Sequence, residues 1–354
     1  MAGLKNVAYY ALGGGHGHTL RGLAILRRLQ TRRIGVLLLA PRRLQAWAKI
    51  EGIRITSPPD RPSPETLMRW VSDTLSREAP DRLLVDVFPR GILADLHHSL
   101  ALAATPPWLI ARRVKPAFYL EPAIREVVEH RYERIVWCEE PPDSLRDLRV
   151  PQGICAPICV RNSEECNSRT VARQALGLPD AGSVVIVLGT GAVERQRDLL
   201  RLLLKVQAGI RTRFSLVFVS DTLLPHRENG LSVLSLYPAM ASLRAADLVV
   251  AAGGYAAFHE TRAVGIPTIY LPQRRPYDDQ RWRVRQCSTV SNPRDLAIAI
   301  AAALRRDRVS SAGAYPASGA DELADQLVAH STTTGAGPST PGFSSDGVLP
   351  SSFR

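Results

Sequence analysis

Short apolar runs rich in Val, Ile and Leu recur along the first half of the chain, at 7–12, 35–39, 83–88, 108–111 and 135–137. Stretches with helical spacing separate them. Runs that are apolar on both faces and lie about ten or more residues apart are what buried parallel strands in a doubly wound sheet require. The pattern predicts a Rossmann-like α/β unit. It then restarts, at 184–188, 216–219, 232–236, 248–251 and 267–271, with helical segments such as 197–207 between. These predict a second α/β unit.

The stretch "EEPPDSLRDLRVPQG" (139–153) is rich in Pro and charge and has no apolar period, so it reads as the connection between two domains, 1–152 and 153–330. Segments 293–304 and 320–330 read as closing helices. From 331 the chain runs "STTTGAGPSTPGFSSDGVLPSSFR", too polar to pack, and 331–354 is expected to be a disordered tail.

Composition agrees: 354 residues with 45% apolar content suffice for two domains, each with its own core. No apolar run approaches the roughly 20 residues of a membrane helix, and no start-of-chain segment looks like a secretory leader. A soluble, cytoplasmic protein is expected. The five cysteines are odd in number and read as thiols. Cys155, Cys159 and Cys166 cluster, but without the paired knuckles or the histidine of a zinc site.

The net charge of +12 first points to nucleic acid or an anionic membrane. Its distribution argues against nucleic acid. Residues 1–152 carry 23 Lys and Arg against 16 Asp and Glu, and the remainder 22 against 17, so neither half concentrates the surplus. The arginines are scattered through helices instead of clustering with aromatic residues.

In an open parallel sheet, ligands bind beyond the carboxyl ends of the strands, where helix N-termini offer free N–H groups to anions. Four strand-end loops therefore matter. The first, "GGGHGHTLRG" (13–22), has glycines at 13, 14, 15 and 17 that permit a tight turn and close approach of a ligand. His18 stands where a Gly-x-Gly-x-x-Gly motif would place its third glycine. His16 and His18 lack a nearby third metal ligand, whereas a histidine here has the titration range of a general base.

The second loop, "VLGTGAVERQ", offers Gly189, Thr190 and Gly191 to a diphosphate, and Asp221 ends the next strand as a ribose-binding acid would. That raises a nicotinamide or flavin enzyme as a competing reading, against which Glu194 replaces the third glycine. The third loop, Gly253, Gly254 and Tyr255, opens a helix whose second turn carries Glu260, within reach of sugar hydroxyls on a ligand whose phosphates sit at the helix start. The fourth, "LPQRRPYDDQRW", sets Asp278, Asp279 and Gln280 together, groups that suit a polyol such as a hexose.

Taken together, "YPAMASLRAADLVVAAGGYAAFHETRAVGIPTIYLPQRRPYDDQ" (237–280) resembles the donor-binding region of GT-B glycosyltransferases, and most of all glycosyltransferase family 28, the MurG-like enzymes. Asp247, Gly254, Glu260, Gly265, Pro267 and Gln280 stand in that family's order. The resemblance implies an α/β GT-B fold, two Rossmann-like domains facing a central cleft. It implies that Gly253, Gly254 and Tyr255 approach the donor diphosphate, that Glu260 holds the ribose, and that Gln280 with Asp279 reads the hexose. "ICVRN" is similar to the family's Pro-Val-Arg segment and would bring Arg161 to the phosphates.

"GGGHGHTLRGLA" matches the family's Gly-rich amino-terminal loop, with His18 on the family histidine; Gly14, Gly15 and Gly17 then form an acceptor-side loop. His16 stands where the family has glycine. "DVFPRG" resembles a strand-end loop of the same superfamily and puts Asp86 in the cleft, where it would orient His18. The resemblance spans 7–304 and is weakest over 92–150.

The expected activity is an inverting, metal-independent transfer of a hexose, N-acetylhexosamine included, from a UDP- or dTDP-sugar to a hydroxyl acceptor, with no cofactor beyond that co-substrate. Gly17, His18 and Arg21 are also similar to a GT-B group that hydrolyses nucleotide sugars, and a non-catalytic nucleotide-sugar-binding protein is a third reading. A lipid-linked sugar, a polysaccharide end or a small natural product would each fit the first domain as acceptor. Segments such as "LMRWVSD" would allow peripheral contact with the inner face of a membrane.

Overall fold

The computed structural model describes residues 4–13, 15–102, 105–189, 191–210, 213–228, 230–290, 292–305 and 318–333. Gly14 and Thr190 lie outside the described residues, as does the expected tail from 334 onward.

The first sheet has seven strands, β1 (Asn6–Tyr10), β2 (Gly35–Leu39), β3 (Arg54–Thr56), β4 (Arg82–Asp86), β5 (Trp108–Ala111), β6 (Arg134–Trp137) and β7 (Gln152–Ile154). Their order is β3-β2-β1-β4-β5-β6-β7, and every pair is parallel. The second sheet holds β8 (Ser183–Leu188), β9 (Phe214–Val219), β10 (His226–Glu228), β11 (Leu231–Leu234), β12 (Leu248–Ala251) and β13 (Thr268–Tyr270), in the order β10-β11-β9-β8-β12-β13. Only the edge pair of β10 with β11 is antiparallel.

Successive residues of a strand point to opposite faces, and here both faces are apolar. Val7 and Tyr9 of β1 enter one core while Ala8 and Tyr10 enter the other. In β8, Val184, Ile186 and Leu188 face one layer and Val185 and Val187 the opposite one. Burial of each such valine, isoleucine or leucine side chain stabilises by about 1.5–3 kcal/mol, which is why these strands sit inside their sheets and not at an edge. The architecture is two Rossmann-like α/β domains, as the pattern of runs predicts.

The domain boundaries need two corrections. The charged stretch 139–153 is no free connection: Leu145, Leu148 and Val150 are buried in the first core, and β7 completes the first sheet. The last helix, Gly319–Thr333, does not stay with the second domain. Its apolar stripe of Ala320, Leu323, Ala324 and Leu327 joins the first domain's core beside Leu26 and Leu29 of the first helix, α1 (His16–Thr31). Arg32 clamps it there through Asp325 at 2.5 Å. The helix also carries residues 331–333, which their polar composition assigns to the tail.

No helix among the described residues is long and apolar enough to cross a membrane. The five cysteines are free thiols; Cys159 and Cys166 pack with Val160 and Met240, and burial pushes the Cys166 thiol up to about 11.

Candidate active site

A cavity of about 740 Å³ opens between the carboxyl ends of the two sheets. Gly15, Gly17, His18, Arg21 and Phe88 line it from the first domain, and Gly189, Gly191, Gly254, Tyr255, Glu260 and Gln280 from the second. Sequence and topology together explain this: the parallel strands end on the same side, and the loops after β1, β4, β8, β12 and β13 meet there.

On the first wall, β4 ends at Asp86, a buried carboxylate that accepts hydrogen bonds from three side chains. Tyr9 Oη donates to its Oδ1 at 2.6 Å, Arg21 donates from Nε and Nη2 at 2.8 and 2.7 Å, and His18 Nδ1 bonds its Oδ2. His18 and Arg21 stand three apart on α1, so both reach the same carboxylate. A Cβ at Gly13 would collide with the His18 ring, which is the physical reason for glycine at that place.

Burial alone would raise the Asp86 carboxyl, but the Arg21 charge and the hydrogen bonds from Arg21 and His18 outweigh it and hold the group well below the usual carboxylate range. An ionised Asp86 can only accept, so His18 Nδ1 carries the proton and Nε2 presents its lone pair. Burial also lowers the His18 pKa, with Asp86 opposing part of that shift, so the imidazole is neutral at pH 7. Among the described residues Nε2 has no hydrogen-bond partner.

The second wall presents helix N-termini. Ala192 precedes the helix Val193–Gly209 and Gly254 precedes the helix Tyr255–Val264; neither N-cap has a side-chain capping bond, and both residues line the cavity. Gly15 does the same for α1 from the opposite wall. Uncapped N–H groups at helix starts are anion sites. Gly191 turns the loop before Val193 with φ of 91°, a conformation open to glycine.

Glu260, in the second turn of Tyr255–Val264, is buried and lines the cavity. No hydrogen bond or ion pair reaches its carboxylate among the described residues, and desolvation pushes its pKa up to about 8. Gln280 also lines the cavity, its Oε1 accepting from Gln273 N at 2.9 Å and its Nε2 donating to Asp278 at 3.1 Å.

Three residues expected at the site, Arg161, Asp279 and Gly253, do not line the cavity. Arg161 pairs with Glu51 at 2.6 Å, because the segment after β7 runs along the first domain. Asp279 caps the short helix Gln280–Arg283, accepting from Trp282 N at 3.3 Å, and the neighbouring Asp278 lines the cavity instead. Gly253 lies behind the wall, where its carbonyl accepts from Arg283 at 2.9 Å. Tyr255 lines the cavity, and its hydroxyl is held in the domain seam by Ile158 N at 2.7 Å. Asp221 does line the cavity, where it faces His16 at 2.8 Å.

Sequence reasoning missed Tyr9, Arg112, Arg275 and Tyr277, which lie at or beneath the cavity wall. It also missed a buried knot in the seam, where Glu139 accepts from His259 at 2.8 Å and from Arg283 at 2.6 and 2.9 Å. No local signal marks these, since each partner lies in a different element. Among the described residues no group of three or more His, Cys, Asp or Glu is arranged to hold a metal ion.

No family model and no curated protein matches the chain by sequence. Solved structures do. The glycotransferase of kitacinnamycin superposes with a TM-score of 0.65 at 15% identity, over 92% of this chain and 99% of that one. The fold is GT-B. The same GT-B arrangement is seen in MurG of Acinetobacter baumannii, with TM-score 0.57, 14% identity and coverage of 91% of this chain and 99% of that one. It recurs in the spinosyn rhamnosyltransferase SpnG complexed with thymidine diphosphate, with TM-score 0.56, 18% identity and coverage of 93% and 96%. In this GT-B chain the two walls of the cavity are the facing ends of the two domains.

Proposed function

We propose that this protein is an inverting, metal-independent glycosyltransferase that moves a hexose, N-acetylhexosamine included, from a UDP- or dTDP-sugar to a hydroxyl acceptor. The observation that carries the reading is the neutral His18, oriented by ionised Asp86, across one cavity from uncapped helix N-termini and an unpartnered Glu260. The donor lies on the second wall, its diphosphate at the starts of Val193–Gly209 and Tyr255–Val264 and its ribose hydroxyls on Glu260. The SpnG complex with thymidine diphosphate supports a nucleotide donor on this fold.

His18 Nε2 takes the proton of the acceptor hydroxyl as its oxygen attacks the anomeric carbon, and imidazolium formation is stabilised by Asp86. The bond from that carbon to the diphosphate breaks, and the electron pair leaves with the nucleoside diphosphate, whose charge the helix N–H groups receive. The configuration inverts because attack and departure lie on opposite faces.

The test separates chemistry from binding. Nucleotides and nucleotide sugars are screened by thermal shift, and a stabilising donor is then turned over with His18→Ala and with the parent. Turnover is expected to fall by roughly 10²–10⁴, with donor affinity kept within about threefold. Loss of donor binding with turnover per bound donor intact would refute the base assignment.

A further inference from the structure

Beyond β4 the chain turns at Val87 with φ of 64°, a left-handed conformation that a β-branched residue rarely adopts. Three buried tyrosines from separate elements hold that turn and the loop after it. Tyr119 Oη donates to Val87 O at 2.9 Å and Tyr132 Oη to Pro89 O at 2.7 Å; Tyr10 Oη accepts from Ile92 N at 3.0 Å while donating to Asp95 at 2.7 Å. A strained turn persists only where its surroundings over-determine it, and such turns concentrate at sites of function. Here the outcome is a fixed loop that sets Phe88 and Ile92 on the cavity wall next to His18, with the Phe88 and His18 ring centres 5.3 Å apart.

The second domain completes that wall. Tyr277 comes within 5.8 Å of Phe88 and 4.9 Å of Phe118, ring centre to ring centre. It is fixed by its own backbone, since Lys115 N donates to Tyr277 O at 2.8 Å and Asp278 forms an antiparallel bridge with Val114. Tyr277 remains 47% exposed, so part of its ring is open to a ligand.

The carboxylates on this side are already engaged with neighbouring side chains. Asp86 is taken by Tyr9, Arg21 and His18, and Arg112 is neutralised by Asp278, which also binds Arg283 and Gln280. A sugar acceptor would need several converging hydrogen-bonding groups beside His18, where the carboxylates are already taken; Arg275, a cation that lines the cavity with no carboxylate partner among the described residues, reaches Gln273 at 2.6 Å and the Gly191 turn of the donor wall. The wall beside His18 supplies ring faces and edges.

We propose that the acceptor bound beside His18 is a flat aromatic molecule that carries the attacked hydroxyl on its ring. The proposal rests on the transferase reading above and names its acceptor class. The hydroxyl's proton passes to His18 Nε2 as its oxygen bonds to the anomeric carbon, and the diphosphate leaves with the electron pair of the broken bond. A ring hydroxyl ionises near pH 10, as in tyrosine, which puts it closer to the reach of an imidazole base than an alkyl alcohol.

The full-length protein is titrated with two planar phenols, 4-methylumbelliferone and 2-naphthol, and separately with methyl β-glucoside and with decaprenyl phosphate in detergent. UDP and dTDP binding is measured on the same samples. At least one phenol is expected to bind saturably and more tightly than the glucoside or the lipid phosphate. Phe88→Ala and Tyr277→Ala should each weaken it about tenfold or more, and Phe88→Leu, which keeps the bulk and removes the ring, by severalfold. Retained nucleotide binding identifies a folded variant. Failure of both phenols to bind, phenol affinity unchanged in all three variants, or tighter binding of glucoside or lipid phosphate overturns the aromatic acceptor. Phenol binding without any nucleotide binding overturns the transferase reading and leaves the aromatic site standing.

Discussion

The two walls of the cleft are built on opposite electrostatic plans. On the first, Asp86 is buried but saturated: Tyr9, His18 and two nitrogens of Arg21 all converge on it. On the second, Glu260 is equally buried and, among the described residues, has no such partner. A group that must orient a base has to be in place before the substrate arrives, and preorganised hydrogen bonds do that. A group that must bind a ligand does better left open, its desolvation offset only when the ligand's hydroxyls reach it. The first carboxyl is accordingly held low and the second pushed up to about 8.

The largest effect expected from this contrast is at Asp86. Removing it in Asp86→Ala leaves the Arg21 guanidinium buried without its counter-charge and Tyr9 without its acceptor. Breaking a buried pair from one side costs about 3–5 kcal/mol, so urea unfolding should show a loss of that size together with loss of turnover. A loss below about 1 kcal/mol would mean that the first wall is not the pre-assembled one.

Glu260→Gln should act in the opposite direction on stability. The folded carboxyl keeps its proton up to about pH 8, while an unfolded glutamate releases it near pH 4.5. Between these values the folded state binds more protons, so the parent loses stability as pH rises through that window. The glutamine variant has no such slope. At pH 8 it should be more stable than the parent by roughly 2–4 kcal/mol, and the gain should shrink below about 1 kcal/mol by pH 5 and vanish by about pH 4. Measured above pH 8, where the carboxyl is ionised, its nucleotide affinity should fall by about tenfold or more, the cost of losing hydrogen bonds to a charged acceptor. Parallel stability profiles for parent and variant would erase the contrast between the walls.

The legibility of the sequence obeys the same physics. The strands at 35–39, 108–111 and 248–251 match their predicted bounds because apolar residues on both faces leave little choice of structure. The edge strand β10 is invisible in the sequence: "HRE" is polar and fully exposed, and only its pairing with β11 makes it a strand. The last helix is legible but its domain is not, since periodicity reports an apolar stripe without naming its partner. His18 and Glu260 can be singled out by their spacing from a glycine turn. Their environments cannot, because Tyr9 and Arg21 meet Asp86 across 77 and 65 residues of sequence. Arg161 and Asp279 show the converse: a resemblance carries a position, and the local backbone decides where the side chain points.

The smallest effect is expected where the two walls touch. His16 Nε2 meets Asp221 at 2.8 Å across the cleft, with side chains 33% and 21% exposed, and its ring packs edge-on against Trp47 at 5.2 Å. A polar contact this open to solvent is worth about 1 kcal/mol or less, so His16→Ala should leave unfolding nearly unchanged. The His16 hydrogen bond lowers the Asp221 pKa, so the pair's contribution is present above the unfolded aspartate pKa and fades as pH falls through the lowered value. Because the pair joins the domains at the cavity mouth, its removal should appear in KM for the donor, by about two- to fivefold, with kcat kept. A fall in kcat matching that of His18→Ala would instead place His16 in the chemistry, and the second histidine of the opening loop would then belong to the first wall and not to the contact between the two.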